Sequence, residues 1–334
     1  MNKANNTNKY RISLDAMGGD YAPEETILGA IEACKHDDTE ILLVGEEKAM
    51  SPYIPTNIPS NLKIIPSNGV IYETDSPIEA MKQKPTSSIL VSAMLVKDGK
   101  ADAYVSMGST GAAMAAGVMC LGTLDGIDRP ALGGPFLGLA PNTTLVDLGT
   151  SVDSRPSQLL NYAVLGVAFS KIFCNISNPR VALLSIGTEE GKGNRQVREA
   201  YTLLSRSNLN FIGNVEGMDI PQAKADVIVC DGFVGNILMK FTEGLGTAIV
   251  DYLNSNLGDN RETSSNMFIQ ELNKLTNFAD YMGGAPLLGL NGISIVGHGR
   301  SRARSIVSAI DIAKTAIRRN FVGIMSDELR NVKQ

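Results

Sequence analysis

Tryptophan is absent from this 334-residue chain, and aromatic residues make up only 5% of it. Proteins that hold single-stranded nucleic acid or sugar rings by stacking need such platforms, so those modes are disfavoured. A net charge of −5 removes any whole-molecule attraction to nucleic acid. There are only two histidines, His36 and His298, far apart in sequence. The four cysteines, Cys34, Cys120, Cys174 and Cys230, form no CxxC pair. Neither a zinc site nor a dithiol redox motif has a footing here. The expectation is a cytoplasmic protein with reduced, buried thiols. One long uncharged run, residues 103–124, is broken by serine, threonine and glycine. It reads as a buried strand ("AYVSMG"), a turn ("STG") and a packed helix ("AAMAAGVMCLG"), not as a membrane span. The start, "MNKANNTNKY", has no apolar core of the kind a signal peptide carries. It reads as a disordered leader over residues 1–9.

What is present is alternation. "YRISLDAMGG", "TEILLVG", "ADAYVSMG", "TTLVDLG", "RVALLSIG", "ADVIVCDG" and "GISIVGHG" are short apolar runs that end in glycine. Between most of them lie helical patterns such as "PEETILGAIEACKH", "SQLLNYAVLGVAFSKIF" and "QVREAYTLLSRS". Strands alternating with helices predict an α/β fold whose mostly parallel sheet is covered by helices. The expected catalytic unit spans 10–325 in two lobes, about 10–100 with 285–325, and 101–284.

In such a sheet, ligands bind beyond the carboxyl ends of the strands. Those ends here are "DAMGGD", "SMGSTG", "DLGTS", "SIGTEEGKGN", "CDGFVGN" and "GHGRS". Any one glycine loop is explained by a tight turn; the set points to a site. Gly187 and Gly191 have three residues between them, so "GTEEGKGN" is not the nucleotide loop of P-loop enzymes, which needs four before Gly-Lys. "GSTG" at 108–111 lacks the dinucleotide spacing. Asp15, Asp20, Asp147, Asp153 and Asp231 lie near strand ends, but nothing in their spacing calls for a metal. The chemistry that remains is anion binding. Lys192 with Gly191, Gly193 and Asn194 is one candidate seat for a phosphate; Ser109 and Thr110 are others. Arg300, placed by "GHGRSRAR" at the opening of a helix, is a third. A solvated basic face remains the alternative for Arg300, Arg302 and Arg304, and a core position the alternative for His298.

Five stretches in order, "LDAMGGDYAPEE", "SMGSTGAAMAAG", "GTEEGKGN", "VCDGFVGNILMKFTEG" and "GGAPLLGLNGISIVGHGRS", resemble the bacterial acyl-carrier-protein:phosphate acyltransferases of phospholipid synthesis. The resemblance spans about residues 10 to 320. It implies a two-lobed fold like that of isocitrate and isopropylmalate dehydrogenases and a homodimer without cofactor or metal. It implies transfer of a fatty acyl group from acyl-carrier protein to inorganic phosphate, near a membrane that the protein touches peripherally. On this reading Lys192, His298 and Asn236 are the catalytic candidates. Arg304, Lys314, Arg318 and Arg319, in "ARSIVSAIDIAKTAIRRN", are candidates for docking the acidic carrier. Two amphipathic patterns between Glu243 and Asp280 carry Leu245, Ile249, Leu253 and Leu257, then Phe268, Leu272, Leu275 and Phe278. A polar linker, "GDNRETSSN", joins them; membrane contact, dimerisation and core packing are all open for the pair. One departure stands out: the family usually continues "VDLG" with Ala-Asn, whereas this chain has Thr150 and Ser151. A donor from that asparagine would have to come from one of these hydroxyls. The rival readings are an NAD-linked decarboxylating dehydrogenase of the same fold and a non-catalytic carrier or membrane adaptor.

Overall fold

A computed structural model describes residues 9–257 and 263–332. The expected leader therefore lies outside the described residues except for its last member. The chain divides into two compact units, residues 1–123 with 282–322, and 124–281 with 323–334.

The first unit begins with β1 (Tyr10–Asp15), α1 (Glu24–Ala33), β2 (Thr39–Gly45), α2 (Glu47–Met50) and β3 (Leu62–Pro66). It continues with α3 (Pro77–Gln83), α4 (Ser88–Lys97), β4 (Ala103–Ser106) and α5 (Thr110–Leu121). The second unit holds β5 (Ala131–Gly134), β6 (Thr144–Val146), α6 (Pro156–Phe173), β7 (Val181–Leu184), α7 (Arg195–Arg206), β8 (Phe211–Val215) and β9 (Val227–Val229). After them come α8 (Gly232–Leu257), α9 (Thr263–Thr276) and α10 (Phe278–Met282). The chain then returns to the first unit for β10 (Ala285–Leu288), β11 (Ile293–Val296) and α11 (Ala303–Arg318), and ends in α12 (Phe321–Asn331).

In the first unit the strands run β3-β2-β1-β4-β11-β10, parallel but for β10. Its core is built by Ile12, Leu14, Ile41, Leu43, Val105 and Ile295, all fully buried. Helix α11 turns Ile306, Ala309, Ile310, Ala313 and Ala316 inward, a stripe at helical spacing. Gly29 of α1 lets the two helices close up: a Cβ there would stand 2.8 Å from the Cβ of Ile306. In the second unit the order is β5-β6-β9-β7-β8, parallel but for β5. Every residue of β6 and β9 is buried. Since successive side chains point to opposite faces, both faces of this sheet are covered. Each buried Leu, Ile or Val contributes about 1.5–3 kcal/mol of transfer free energy.

The fold class expected from the alternation is the one observed. Several elements escaped the pattern. β5 and β10 are antiparallel additions, and their runs "ALGG" and "APLL" carry the glycine and proline that strand interiors disfavour. The expected "STG" turn is shorter than read: Ser109 caps α5 by accepting Ala112 N–H at 3.4 Å, and Thr110 is already helical. The expected linker lies outside the described residues over 258–262, and residues 263–266 belong to α9. On α8 the inward residues are Met239, Glu243 and Gly246, while Leu245 and Ile249 of the expected apolar pattern are exposed. Cys34 and Cys230 are buried as expected, whereas Cys120 and Cys174 are half-buried, and all four are free.

Candidate functional site

In the second unit β7 runs out at Leu184 into Ser185–Asn194, and α7 follows at once. Asn194 begins that helix: its Oδ1 accepts Val197 N–H at 2.9 Å. The cap is therefore not one of the two glutamates of the loop. Glu189 offers its carbonyl, which accepts Lys192 N–H at 3.0 Å and the Asn214 amide at 2.8 Å. Gly193 sits at φ +100, and a Cβ there would meet Val197 Cγ1 at 2.6 Å. At Gly187 a Cβ would meet Lys192 Cγ at 2.9 Å, so the lysine stem lies across this glycine. Lys192 and Gly191 are exposed. Among the described residues no ion pair engages the Lys192 ammonium, although two acids share its loop. Arg198 steadies the loop by donating to Gly193 O at 2.8 Å.

A second loop of this unit follows β6 and turns around Asp147, which is wholly buried. Its Oδ1 accepts N–H groups of Gly149 and Thr150 at 3.1 Å and of Leu132 at 3.3 Å. Its Oδ2 accepts the Thr150 hydroxyl at 2.7 Å and both the N–H and the hydroxyl of Ser151 at 2.9 Å. The two hydroxyls that replace Ala-Asn are thus turned inward onto a carboxylate, which corrects the expectation that one of them serves a ligand directly. Helix α8 is seated on the same loop. Asp231 Oδ1 accepts Val234 N–H at 2.8 Å, and Ser151 Oγ accepts Gly232 N–H at 3.0 Å. Asn236 is exposed, and its side chain rests on Gly149, where a Cβ would come within 3.3 Å of Asn236 Cβ and Oδ1. Gln196, at the start of α7, donates to Ser154 O and so ties the Asp147 loop to the Lys192 loop.

Three glycine loops predicted from sequence meet in the first unit. Asp20 N–H donates to Gly299 O at 2.7 Å. A Cβ on Gly18 would stand 2.8 Å from Gly108 N and 2.7 Å from Asp15 Oδ2. "DAMGGD", "SMGSTG" and "GHGRS" are therefore neighbours, with Ser109, Thr110 and His298 on them, half-buried, and Arg300 exposed. Asp15 is buried beneath them and accepts the Ser106 hydroxyl at 2.7 Å. Burial pushes its carboxyl above the usual range, opposed by hydrogen bonds from Ser88 and Ser106.

The expected anion seat at the start of α11 differs from the reading. The helix begins at Ala303, so Arg300 precedes it by a turn of loop. The Glu25 carboxylate already occupies the first helical N–H, accepting Ala303 N–H at 2.8 Å and pairing with Arg302 at 3.0 Å. The free N–H groups and dipole of a helix start attract an anion, and the protein supplies its own. That bond and the arginine hold Glu25 below the ordinary carboxylate range. Arg302 also covers the Tyr21 ring at 3.4 Å. Of the basic docking candidates on α11, Lys314 is spent on Asp38 at 2.7 Å and is only 15% exposed; Arg304 and Arg318 are exposed and Arg319 is half-buried.

No group of three or more His, Cys, Asp or Glu side chains among the described residues is arranged to hold a metal ion. No described helix is long and apolar enough to cross a membrane.

The profile of the family described as "Fatty acid synthesis protein" matches residues 10–323. A phosphate acyltransferase from Desulfitobacterium hafniense is 42% identical over 96% of this chain and 97% of its own length. Another from Heliobacterium modesticaldum is 43% identical with the same coverage. Among solved structures, a phosphotransacetylase from Streptococcus pyogenes shares the fold, with a TM-score of 0.62 and 20% identity over 93% of this chain and 94% of that one.

Proposed function

The chain belongs to the fatty acid synthesis protein family, and on that premise we propose that it transfers a fatty acyl group from acyl-carrier protein to inorganic phosphate, giving an acyl phosphate for phospholipid synthesis. The observation that carries this reading is the Lys192 loop: a glycine-built strand end that offers an exposed ammonium with no acid partner among the described residues. Such a loop suits a small anion and is the wrong length for a nucleotide.

The chemistry needs little from the protein. The donor is a thioester whose leaving thiol has a pKa near roughly 8.5, so no strong acid is required. A phosphate oxygen attacks the carbonyl carbon, the C–S bond breaks, and the thiolate takes up a proton. Lys192, with the Gly191 and Gly193 backbone, holds the phosphate; the Asn236 amide donates to the oxyanion that develops. Ser109, Thr110, His298 and Arg300 are, on this proposal, anion donors on the glycine loops of the first unit. Asn194 gives its carbonyl oxygen to the helix cap and keeps its amide N–H for the anion. The acidic carrier docks on Arg304 and Arg318, with Arg319 beside them, rather than on Lys314. Helix α8 exposes Phe233, Ile237, Phe241, Leu245 and Tyr252, an apolar ladder that supports a homodimer. Met267 and Phe268 of α9, both more than 60% exposed, support contact with a membrane surface.

The test is thiol release from an acyl-carrier thioester. Release that rises with phosphate, without added metal or nucleotide, supports the reading. Release that ignores phosphate makes the protein a thioesterase, and no release at all makes it an adaptor. NAD reduction with a hydroxy acid would make it a dehydrogenase. Docking is separated from phosphate binding by two variants. Arg300→Lys should raise the phosphate KM about tenfold, since lysine cannot reproduce a bidentate contact, and spare the carrier KM. Arg318→Glu should raise the carrier KM and spare phosphate.

A further inference from the structure

We infer that Ser151 is a positioning residue for Asn236: its hydroxyl joins the buried Asp147 carboxylate to the first N–H of α8 and so fixes the turn that carries the amide. This rests on the proposal that Asn236 acts on the reacting group.

Six donors converge on Asp147, more than the four or so lone-pair positions a carboxylate offers. Two of them have other outlets. The Thr150 hydroxyl lies 3.0 Å from Pro130 O, and the Ser151 hydroxyl lies 2.8 Å from Ser154 Oγ. The two hydroxyls bear on the same Oδ2, yet only one reaches α8. Ser151 Oγ accepts Gly232 N–H, the opening residue of α8, while the Thr150 hydroxyl turns to Pro130 O ahead of β5 and touches no part of that helix.

The start of the helix lies very close on this seat. A Cβ at Gly232 would stand 2.5 Å from Asp147 Oδ2 and 2.7 Å from Ser151 N, and one at Gly235 would overlap Asp147 O. These glycines bring the first turn of α8 directly onto the Asp147 loop, and Gly149 of that loop supports the Asn236 side chain from below. The Asn236 amide is held by this packing alone: no hydrogen bond engages it among the described residues. Its direction is therefore set by how the first turn of α8 sits, which the Ser151 hydroxyl pins. A misplacement on the scale of 1 Å in such a group costs up to about a hundredfold in rate.

The internal control is Thr150. Thr150→Val and Ser151→Ala each remove one hydroxyl from Asp147 Oδ2, and their melting temperatures should fall by similar amounts. The inference predicts that Ser151→Ala lowers kcat about tenfold or more with the phosphate KM little changed, while Thr150→Val lowers it by no more than about threefold. It further predicts that Ser151→Ala has almost no added effect in an Asn236→Ala background, because the group it aims is gone. Equal losses of kcat in the two single variants, or the same Ser151→Ala factor with and without Asn236, would overturn it. If Asn236→Ala alone retains full activity, what fails is the role given to Asn236 in the proposed function, and that result is read separately from the Ser151 cycle.

Discussion

Each unit buries an aspartate at the carboxyl end of a strand, and the protein treats the two differently. Asp15 closes β1 with hydroxyl bonds from serines and the Met17 N–H at 3.2 Å, and burial raises its pKa. Asp147 follows β6 with six donors around it, three backbone N–H groups on one oxygen and two hydroxyls with the Ser151 N–H on the other. A buried charge is tolerated where protein dipoles replace its lost water. Asp147 meets that condition and organises a loop, a helix start and, through Gln196 and Ser154, the neighbouring Lys192 loop. Asp15 meets it less fully and is pushed toward its neutral form. Burial alone does not say what an aspartate is for; the count and origin of its donors do.

The largest expected effect comes from exchanging the better-held acid. Asp147→Asn keeps the shape but turns an amide N–H₂ toward N–H donors. It should cost about 3 kcal/mol or more in denaturant unfolding and leave little folded enzyme. An unchanged midpoint would mean that the donor shell is not what holds the loop. Ser106→Ala is smaller: it removes one bond to Asp15 and should cost about 1–2 kcal/mol. It should also move the Asp15 carboxyl titration further upward in an NMR pH series. Smallest, and of opposite sign, is Asp15→Asn. A carboxyl whose folded pKa is raised contributes stability at low pH and loses it as pH rises through that folded pKa. The melting temperature of Asp15→Asn relative to the parent should therefore improve from pH 5 to pH 8. A difference constant across that range would show that Asp15 is no more costly to ionise in the fold than in the open chain.

Much of this arrangement was legible in the sequence, and the reason is local. "GTEEGKGN" and "GHGRS" announce strand ends because glycine after an apolar run has few other uses. Parallel alternation put six glycine-rich strand ends in one set; that "DAMGGD", "SMGSTG" and "GHGRS" are three that meet follows from the strand order β1-β4-β11, which alternation does not give. What stayed hidden was set by partners distant in sequence. Nothing near Ala303 reveals that Glu25 will cap α11, since the two are 278 residues apart. Thr150 and Ser151 read as replacements for a ligand donor, because their turn inward depends on a carboxylate buried only once β6 joins the sheet. β5 and β10, with glycine or proline in "ALGG" and "APLL", lack the β-branched and aromatic run that marks a strand before its neighbours form.

On the proposed function, the second unit seats the phosphate on the Lys192 loop. The most direct measurement is the phosphate saturation curve of Lys192→Ala, with acyl-carrier thioester held in excess and the fold checked by circular dichroism. The claim predicts that kcat/KM for phosphate falls about a hundredfold, the scale of a lost charge-assisted contact, while the carrier KM and the far-ultraviolet spectrum match the parent. A parental phosphate curve in a folded Lys192→Ala protein would contradict it and move the anion to another strand end.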